Sequence, residues 1–392
     1  MIAAREVLEL RAEWSLDVNV IEKDYVLGWL LAGIGQEPQL GQNWVFKGGT
    51  CLRKCYYETY RFSEDLDFTV VKGGPEAPED LVPIFRRIGD WIREESGLEL
   101  VIDDDGFRRR QNLRGNPTTQ GRISYRGPNQ PRDLPKVRLD ITSDEVLVEP
   151  PQQRTVGHQY SDAPLPGKGV VCYSLTELFA EKLRALSQRC RPRDLYDVVH
   201  MHRHPDLIGR APAVSAILAR KCTHVGIQLP TAEAIRSSSY RDEVEQEWEN
   251  MLGHQLPRPL PPFADFWAVL DEVFAWLGGQ VQLVAPQRIE RADLDPAWIA
   301  PRAITSWRRG FPFELIRYSG ANRLKIDVDY RAEDGRWGSR RVEPYSLRRT
   351  NDGNLLLFVV NDRGQVRAYR ADRIAGVRPT NETFSARFLV EF

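Results

Sequence analysis

Asp65 and Asp67 stand at i and i+2 in the run Arg61-Phe62-Ser63-Glu64-Asp65-Leu66-Asp67-Phe68, alternating with apolar Leu66 and Phe68. Side chains two apart on a strand share a face, so both carboxylates project from one side of a sheet while Leu66 and Phe68 point to the other. Upstream, Phe46-Lys47-Gly48-Gly49-Thr50 ends a short apolar strand at 44–46 and leads into a helical run over 51–57. The segment is therefore a strand, helix, strand unit with its acids at one edge. Glycines let backbone approach a phosphate, and amides at a helix start meet it with the positive end of the dipole. Gly48, Gly49 and Thr50 are the expected nucleotide-binding turn. Asp65 and Asp67 are the expected platform for a hard cation, Mg²⁺ or Mn²⁺, which in nucleotidyl transfer neutralises the attacking and leaving oxygens.

The rest of the chain surrounds this unit with ordinary elements. Val7, Leu8, Leu10 and Trp14, then Val20, Ile21, Tyr25 and Val26, recur at helical spacing within 1–35, and Gly33, Gly35 and Pro38 stop the pattern. A helix is expected over 83–96 and strands over 98–102, 123–125 and 137–141. Asp140 alternates with apolar residues in the last of these, either as a third carboxylate aimed at the first two or as a structural acid at a strand edge. The Pro/Gly-rich stretch 150–169 reads as a boundary. Beyond it lie helices at 175–186, capped by Thr176, at 194–199 after Pro192, and at 213–220, 243–251 and 263–277. Past Gly278-Gly279, strands are expected over 314–318, 323–330, 340–344, 355–360, 366–369 and 374–377, with Asp-Gly turns between them, the pattern of a small all-β barrel.

The fold class is thus α+β: a mixed sheet flanked by helices, a helical middle, and a C-terminal SH3-like β-barrel. The expected domains are 1–165, 166–290 and 300–392, the usual division for a chain of 392 residues. A formal net charge of −1 gives no global signal for nucleic acid or membrane, but two segments depart from it. Residues 106–138 hold nine Lys/Arg against Asp133 alone, and residues 301–350 hold twelve against six acids. Such patches suit contact with a polyanion, or are simply solvated faces. Charges where a signal peptide would place its apolar core, and no apolar run of spanning length, make cytoplasm the expectation, with no membrane partner. The five cysteines form no CxxC pair, and Cys51 and Cys55 are read as packed thiols. His200, His202 and His204 alternate, but Arg203 between them and Pro205 after them argue against a metal clip.

Four ordered motifs, FKGGTCLRK from Phe46, RFSEDLDF from Arg61, LTELFAEKLRAL from Leu175 and RPRDLYD from Arg191, resemble the AbiEii/AbiGii nucleotidyltransferase toxins of the DNA polymerase β-like superfamily. The resemblance covers about residues 20–200. It implies that Ser63, Asp65 and Asp67 lie in the metal and nucleotide site, that Lys182 and Asp194 complete it, and that Asp140 is the third metal carboxylate. Lys182 would meet triphosphate charge, and Asp194 would orient it or activate the acceptor; the plain alternative is a helix salt bridge. The implied activity is transfer of nucleotides from an NTP to an RNA acceptor, tRNA first, in a toxin–antitoxin or phage-defence setting with a cognate antitoxin. Glu22-Lys23-Asp24-Tyr25 is similar to the family's opening helix and is read as packing and surface pairing.

Residues 305–385 resemble a WYL-type domain through Tyr330, Val342-Glu343-Pro344-Tyr345 and Tyr369-Arg370-Ala371-Asp372-Arg373-Ile374, although the signature itself reads Leu355-Leu356-Leu357. Arg341, Arg348, Arg370 and Arg373 are the candidates there for ligand or nucleic-acid contact. Two other functions stay open at this point: a metal-dependent nuclease using the same acids, and a ligand-sensing regulatory protein acting through the C-terminal segment.

Overall fold

The computed structural model describes the chain apart from residues 58, 59, 72, 113, 130, 131, 163–168, 238, 239, 299 and 301–310. Helix α1 (Ala4–Trp14) ends at Ser15, whose φ of 51° breaks the helix, and α2 (Val18–Gln36) restarts after Asp17, whose carboxylate accepts the Asn19 amide at 2.8 Å.

Strands β1 (Trp44–Lys47), β2 (Asp65–Val70), β3 (Glu99–Val101), β4 (Phe107–Gln111), β5 (Pro117–Arg126), β6 (Lys136–Thr142), β7 (Gln152–Arg154) and β8 (Val170–Cys172) form an eight-stranded sheet. Its order is β3-β5-β6-β2-β1-β8-β7, with β4 paired to β5. The pairs β2/β6 and β1/β8 are parallel and the others antiparallel, so the sheet is mixed, as expected. β4 escapes the sequence pattern because residues 108–111 are all exposed and show no apolar alternation. β7 lies inside the stretch read as a boundary, and the 165/166 division itself falls outside the described residues.

Between β1 and β2 the chain forms the short helix α3 (Gly48–Cys51) and then a π turn (Leu52–Tyr56), closed by Tyr57 N–H donating to the Leu52 carbonyl at 2.9 Å. Helix α4 (Pro78–Ser96) buries Leu81, Ile84, Phe85, Ile88 and Ile92 at helical spacing, each worth about 1.5–3 kcal/mol of burial. It starts at Pro78 rather than Pro83, because Pro78 suits the first helical position and Glu79 and Asp80 complement the dipole there.

A helical layer follows: α5 (Leu175–Arg189), α6 (Pro192–His202), α7 (Ala211–Val225), α8 (Ala232–Arg236), α9 (Tyr240–Leu252), α10 (Phe263–Ala268) and α11 (Leu270–Leu277). The cap of α5 is Ser174 rather than Thr176: its hydroxyl accepts the Glu177 amide at 3.0 Å, while the Thr176 hydroxyl donates to Glu149. The helix expected over 263–277 is interrupted at Val269.

Residues 314–318 are helical, not a strand. They lie in α12 (Phe313–Ala321), which buries Phe313, Ile316 and Tyr318. After it, β9 (Leu324–Arg331), β10 (Trp337–Arg349), β11 (Leu355–Asn361), β12 (Val366–Arg370) and β13 (Ile374–Thr383) form a five-stranded antiparallel sheet in order β12-β11-β10-β9-β13. β12 and β13 stand at opposite edges, so the pairing among the described residues closes no barrel. Ile316, Ile326, Val328, Val342, Leu357 and Val359 pack a second core between α12 and this sheet. Tyr318 and Leu324 instead join the core of the first sheet, the Tyr318 hydroxyl donating to the Pro259 carbonyl at 2.7 Å.

Candidate active site

Strand register assembles the centre of the site. Lys47 of β1 lies opposite Asp67 of β2, Asp67 beside Asp140 of β6, and Asp140 opposite Gln120 of β5. Residues paired in register share a face, so a lysine, two aspartates and an amide form one row across four strands, with Asp65 and Arg138 paired alongside. Leu66 and Phe68 are buried on the other face, and the half-buried acids face the helical layer.

Crowding of like charge shows in the protonation of these acids. Burial raises Asp67, Lys47 pulls it down, and Asp140 and Asp65 push it up again, leaving it at about 6. Asp65 is also raised, by burial first, with Arg138 opposing and Asp140 adding to the rise. The Asp140 carboxylate accepts Gln120 Nε2 at 3.1 Å. Three hard oxygen donors that repel one another fit a divalent cation. As a set their oxygens are not gathered within 4.8 Å of one another, so a cation would have to draw them in.

The glycine turn meets this row directly. Gly48 has φ +81°, and a Cβ on it would lie 2.1 Å from Asp67 Oδ2, while one on Gly49 would lie 2.5 Å from an Arg61 guanidinium nitrogen. The glycines therefore make room for an aspartate and an arginine of the protein itself, which the sequence argument about phosphates did not anticipate. The Thr50 hydroxyl donates to the Asp65 carbonyl at 2.6 Å and pins the turn to β2. Gly48→Ala should cost about 1–2 kcal/mol through its left-handed backbone and displace the Asp67 carboxylate. Activity should accordingly fall by much more than a melting curve alone would suggest, which parallel transfer assays and thermal denaturation will check.

Lys182 of α5 and the start of α6 close the site. Lys182 Nζ lies 3.6 Å from Asp194 and 2.7 Å from Asp197. Asp194 accepts Arg189 Nε at 2.7 Å and Nη2 at 2.9 Å. Asp197 is fully buried and accepts Arg61 Nε at 2.6 Å, Arg61 Nη2 at 2.7 Å and the Tyr60 hydroxyl at 2.6 Å. Burial alone would raise Asp197, but Arg61 and then Lys182 outweigh it and hold the carboxyl below its ordinary range. Lys182 is thus oriented chiefly by Asp197, which the sequence reading passed over although it sits one helical turn after Asp194. Lys47 was missed as well: it lies 3.3 Å from Glu181 and 3.4 Å from Glu145, and these two carboxylates hold its ammonium charge against burial.

Ser63 is half-buried on the approach to β2. In the opening helix the acids are internal rather than superficial: Asp24 accepts Arg53 and Lys54 at 2.8 Å each, while Lys23 reaches Glu64 at 2.8 Å. His200 contacts Asn322, His202 stacks edge-on against Trp276, and His204 accepts the Asp206 amide, so the three histidines face separate partners. The exposed Arg122 and Arg138 lie in register on the acid-bearing face of the sheet. In the C-terminal sheet, Arg341 engages Asp327 and Glu382, Arg348 engages Glu391, Arg370 engages Asp372, and Arg373 lies 3.7 Å from Glu333. All four candidate arginines there already face carboxylates. Arg340, not singled out from sequence, lies over the stacked rings of Tyr330 and Tyr369.

A family model described as "Nucleotidyl transferase AbiEii toxin, Type IV TA system" matches residues 29–273, which include the glycine turn, the carboxylate row and the Lys182 network. The chain belongs to the AbiEii family. This AbiEii protein is accordingly a nucleotidyltransferase, and its residues 313–379 match the WYL domain model. Among solved structures it is similar to MenT4, a nucleotidyltransferase toxin from Mycobacterium tuberculosis H37Rv, at 23% identity and a TM-score of 0.48 over 70% of this chain and 88% of that one. It is also similar to proteasome accessory factor B/C of Arthrobacter aurescens, at 13% identity and a TM-score of 0.18 over 60% of this chain and 28% of that one. No curated protein matches it. No helix among the described residues of the AbiEii chain is long and apolar enough to cross a membrane.

Proposed function

We propose that this AbiEii protein is a Mg²⁺-dependent toxin that transfers nucleotides from an NTP to an RNA acceptor, tRNA first, and that a cognate antitoxin restrains it. The observation that carries the reading is the cross-strand row of Lys47, Asp67 and Asp140 beside the glycine turn. In this reading Asp65, Asp67 and Asp140 hold the cation, which when bound neutralises charge on the attacking and leaving oxygens. Lys182, fixed by Asp197 at 2.7 Å, meets the triphosphate as a point charge. Gly48, Gly49, Thr50 and Ser63 line the donor, and Asp194 positions the acceptor side. Arg122 and Arg138 support the phosphate backbone of the acceptor on the same sheet face.

Incubating the protein with Mg²⁺, total RNA and each labelled NTP in turn tests this reading, followed by sequencing of RNA 3′ ends. Label joined to RNA ends, lost when Mg²⁺ is chelated, is the expected result. Shortened RNA without label would replace the reading with a nuclease. Label on protein alone would change the acceptor class.

A further inference from the structure

Three thiols meet beneath the glycine turn. Cys51 ends α3, Cys55 follows in the π turn, and Cys172 ends β8 in register with Phe46 of β1. All three are free and buried. Their sulfur atoms lie within 4.8 Å of one another, and among the described residues no other set of three metal-ligating side chains is gathered this closely. Sulfurs bound tetrahedrally to zinc at about 2.3 Å stand roughly 3.8 Å apart, so the set needs only a small contraction to close on an ion. A purely apolar filling would need no such convergence from two elements.

A cation also stands beside this cluster. Arg154 lies 4.2 Å over the Tyr56 ring and donates to the Cys55 carbonyl at 3.2 Å, placing positive charge beside the sulfurs. The Tyr56 oxygen lies 3.9 Å from Cys172 Sγ. A cleft lined by Asp24, Lys54, Cys55, Tyr57 and Gln159 reaches the cluster at Cys55.

We propose that Cys51, Cys55 and Cys172 bind one Zn²⁺ ion, which staples the glycine turn to β8. Soft sulfur donors select zinc over the hard cations that suit the aspartates, so this site is separate from the carboxylate row. On binding, each protonated thiol releases its proton to solvent, and affinity therefore rises with pH until the thiols are ionised.

The 392-residue chain, purified with reductant and stripped of metal, tests this by titration with Co²⁺ and then Zn²⁺. One equivalent of Co²⁺ should give a sulfur-to-cobalt charge-transfer band and tetrahedral d–d bands, and one equivalent of Zn²⁺ should bleach both and raise Tm. The variants Cys172→Ser and Cys51→Ala, with unchanged far-UV circular dichroism, should lose the charge-transfer band. Its absence in the folded wild-type chain overturns the proposal, and that observation needs no variant. A band that survives Cys172→Ser also overturns it, as does a disulfide joining Cys172 to either neighbour in place of metal binding.

Discussion

Replacing Asp67 by asparagine should remove nucleotidyl transfer and at the same time raise the melting temperature at pH 7. The acid titrates near 3.8 in the unfolded chain and at about 6 in the folded one, so the folded state binds more protons across that interval. The stabilisation present below the unfolded value is lost as pH rises through 6, and it stays lost at neutrality. Asparagine fits the same space against Gly48 without the charge, and should recover on the order of 1–3 kcal/mol, or a few degrees of Tm. Transfer should fall by about a thousandfold or more, since a carboxylate that supports charge in the transition state is gone. Wild-type activity should itself decline below about pH 6 as Asp67 takes up a proton. Paired calorimetry and labelled-NTP assays check both halves. A variant that loses activity and stability together would show that Asp67 is structural.

Asp197→Asn should be the most destabilising single change in the site. Its carboxylate is fully buried and serves Arg61, Lys182 and Tyr60 together, so the variant strands a buried guanidinium and a buried ammonium. Breaking a buried pair from one side costs about 3–5 kcal/mol. Because Asp197 titrates below its ordinary range, its contribution is present above about pH 4 and is lost as pH falls through the folded value. Urea denaturation at pH 7 and at pH 3.5 should therefore show a large gap between wild type and variant at both, only slightly smaller at the second, because the folded carboxyl still holds its charge there. Asp194→Asn should cost less, because its partner Arg189 is half exposed and can turn to water. Equal losses for the two variants would contradict this division of labour.

The carboxylates were legible from sequence because i and i+2 spacing on a strand fixes their face, and register then brought Asp140 to Asp67. Lys182 and Asp194 came from ordered motifs rather than from any local pattern. Asp197 and Arg61 were not legible, since they lie far apart in sequence and meet only when α6 packs against the segment before β2. The crowding at Gly48 and Gly49 was not legible for the same reason: it comes from an aspartate on the neighbouring strand and an arginine of the segment before β2. β4 and α12 were lost to weak patterns, an exposed arginine strand in one case and a short helix with β-like composition in the other.

Helix α6 is only eleven residues, about 16 Å, long. Its first turns present Asp194 and Asp197 to Lys182, while Tyr196 and His200 on the same helix reach Asn322 at 3.0 and 3.2 Å. Reaction centre and C-terminal region thus rest on one beam. A chain trimmed before α12 would leave two buried polar groups of that beam without their shared amide, so its failure would report a weakened support as readily as a missing function. The two halves are better separated by substitutions at Asn322 than by scissors.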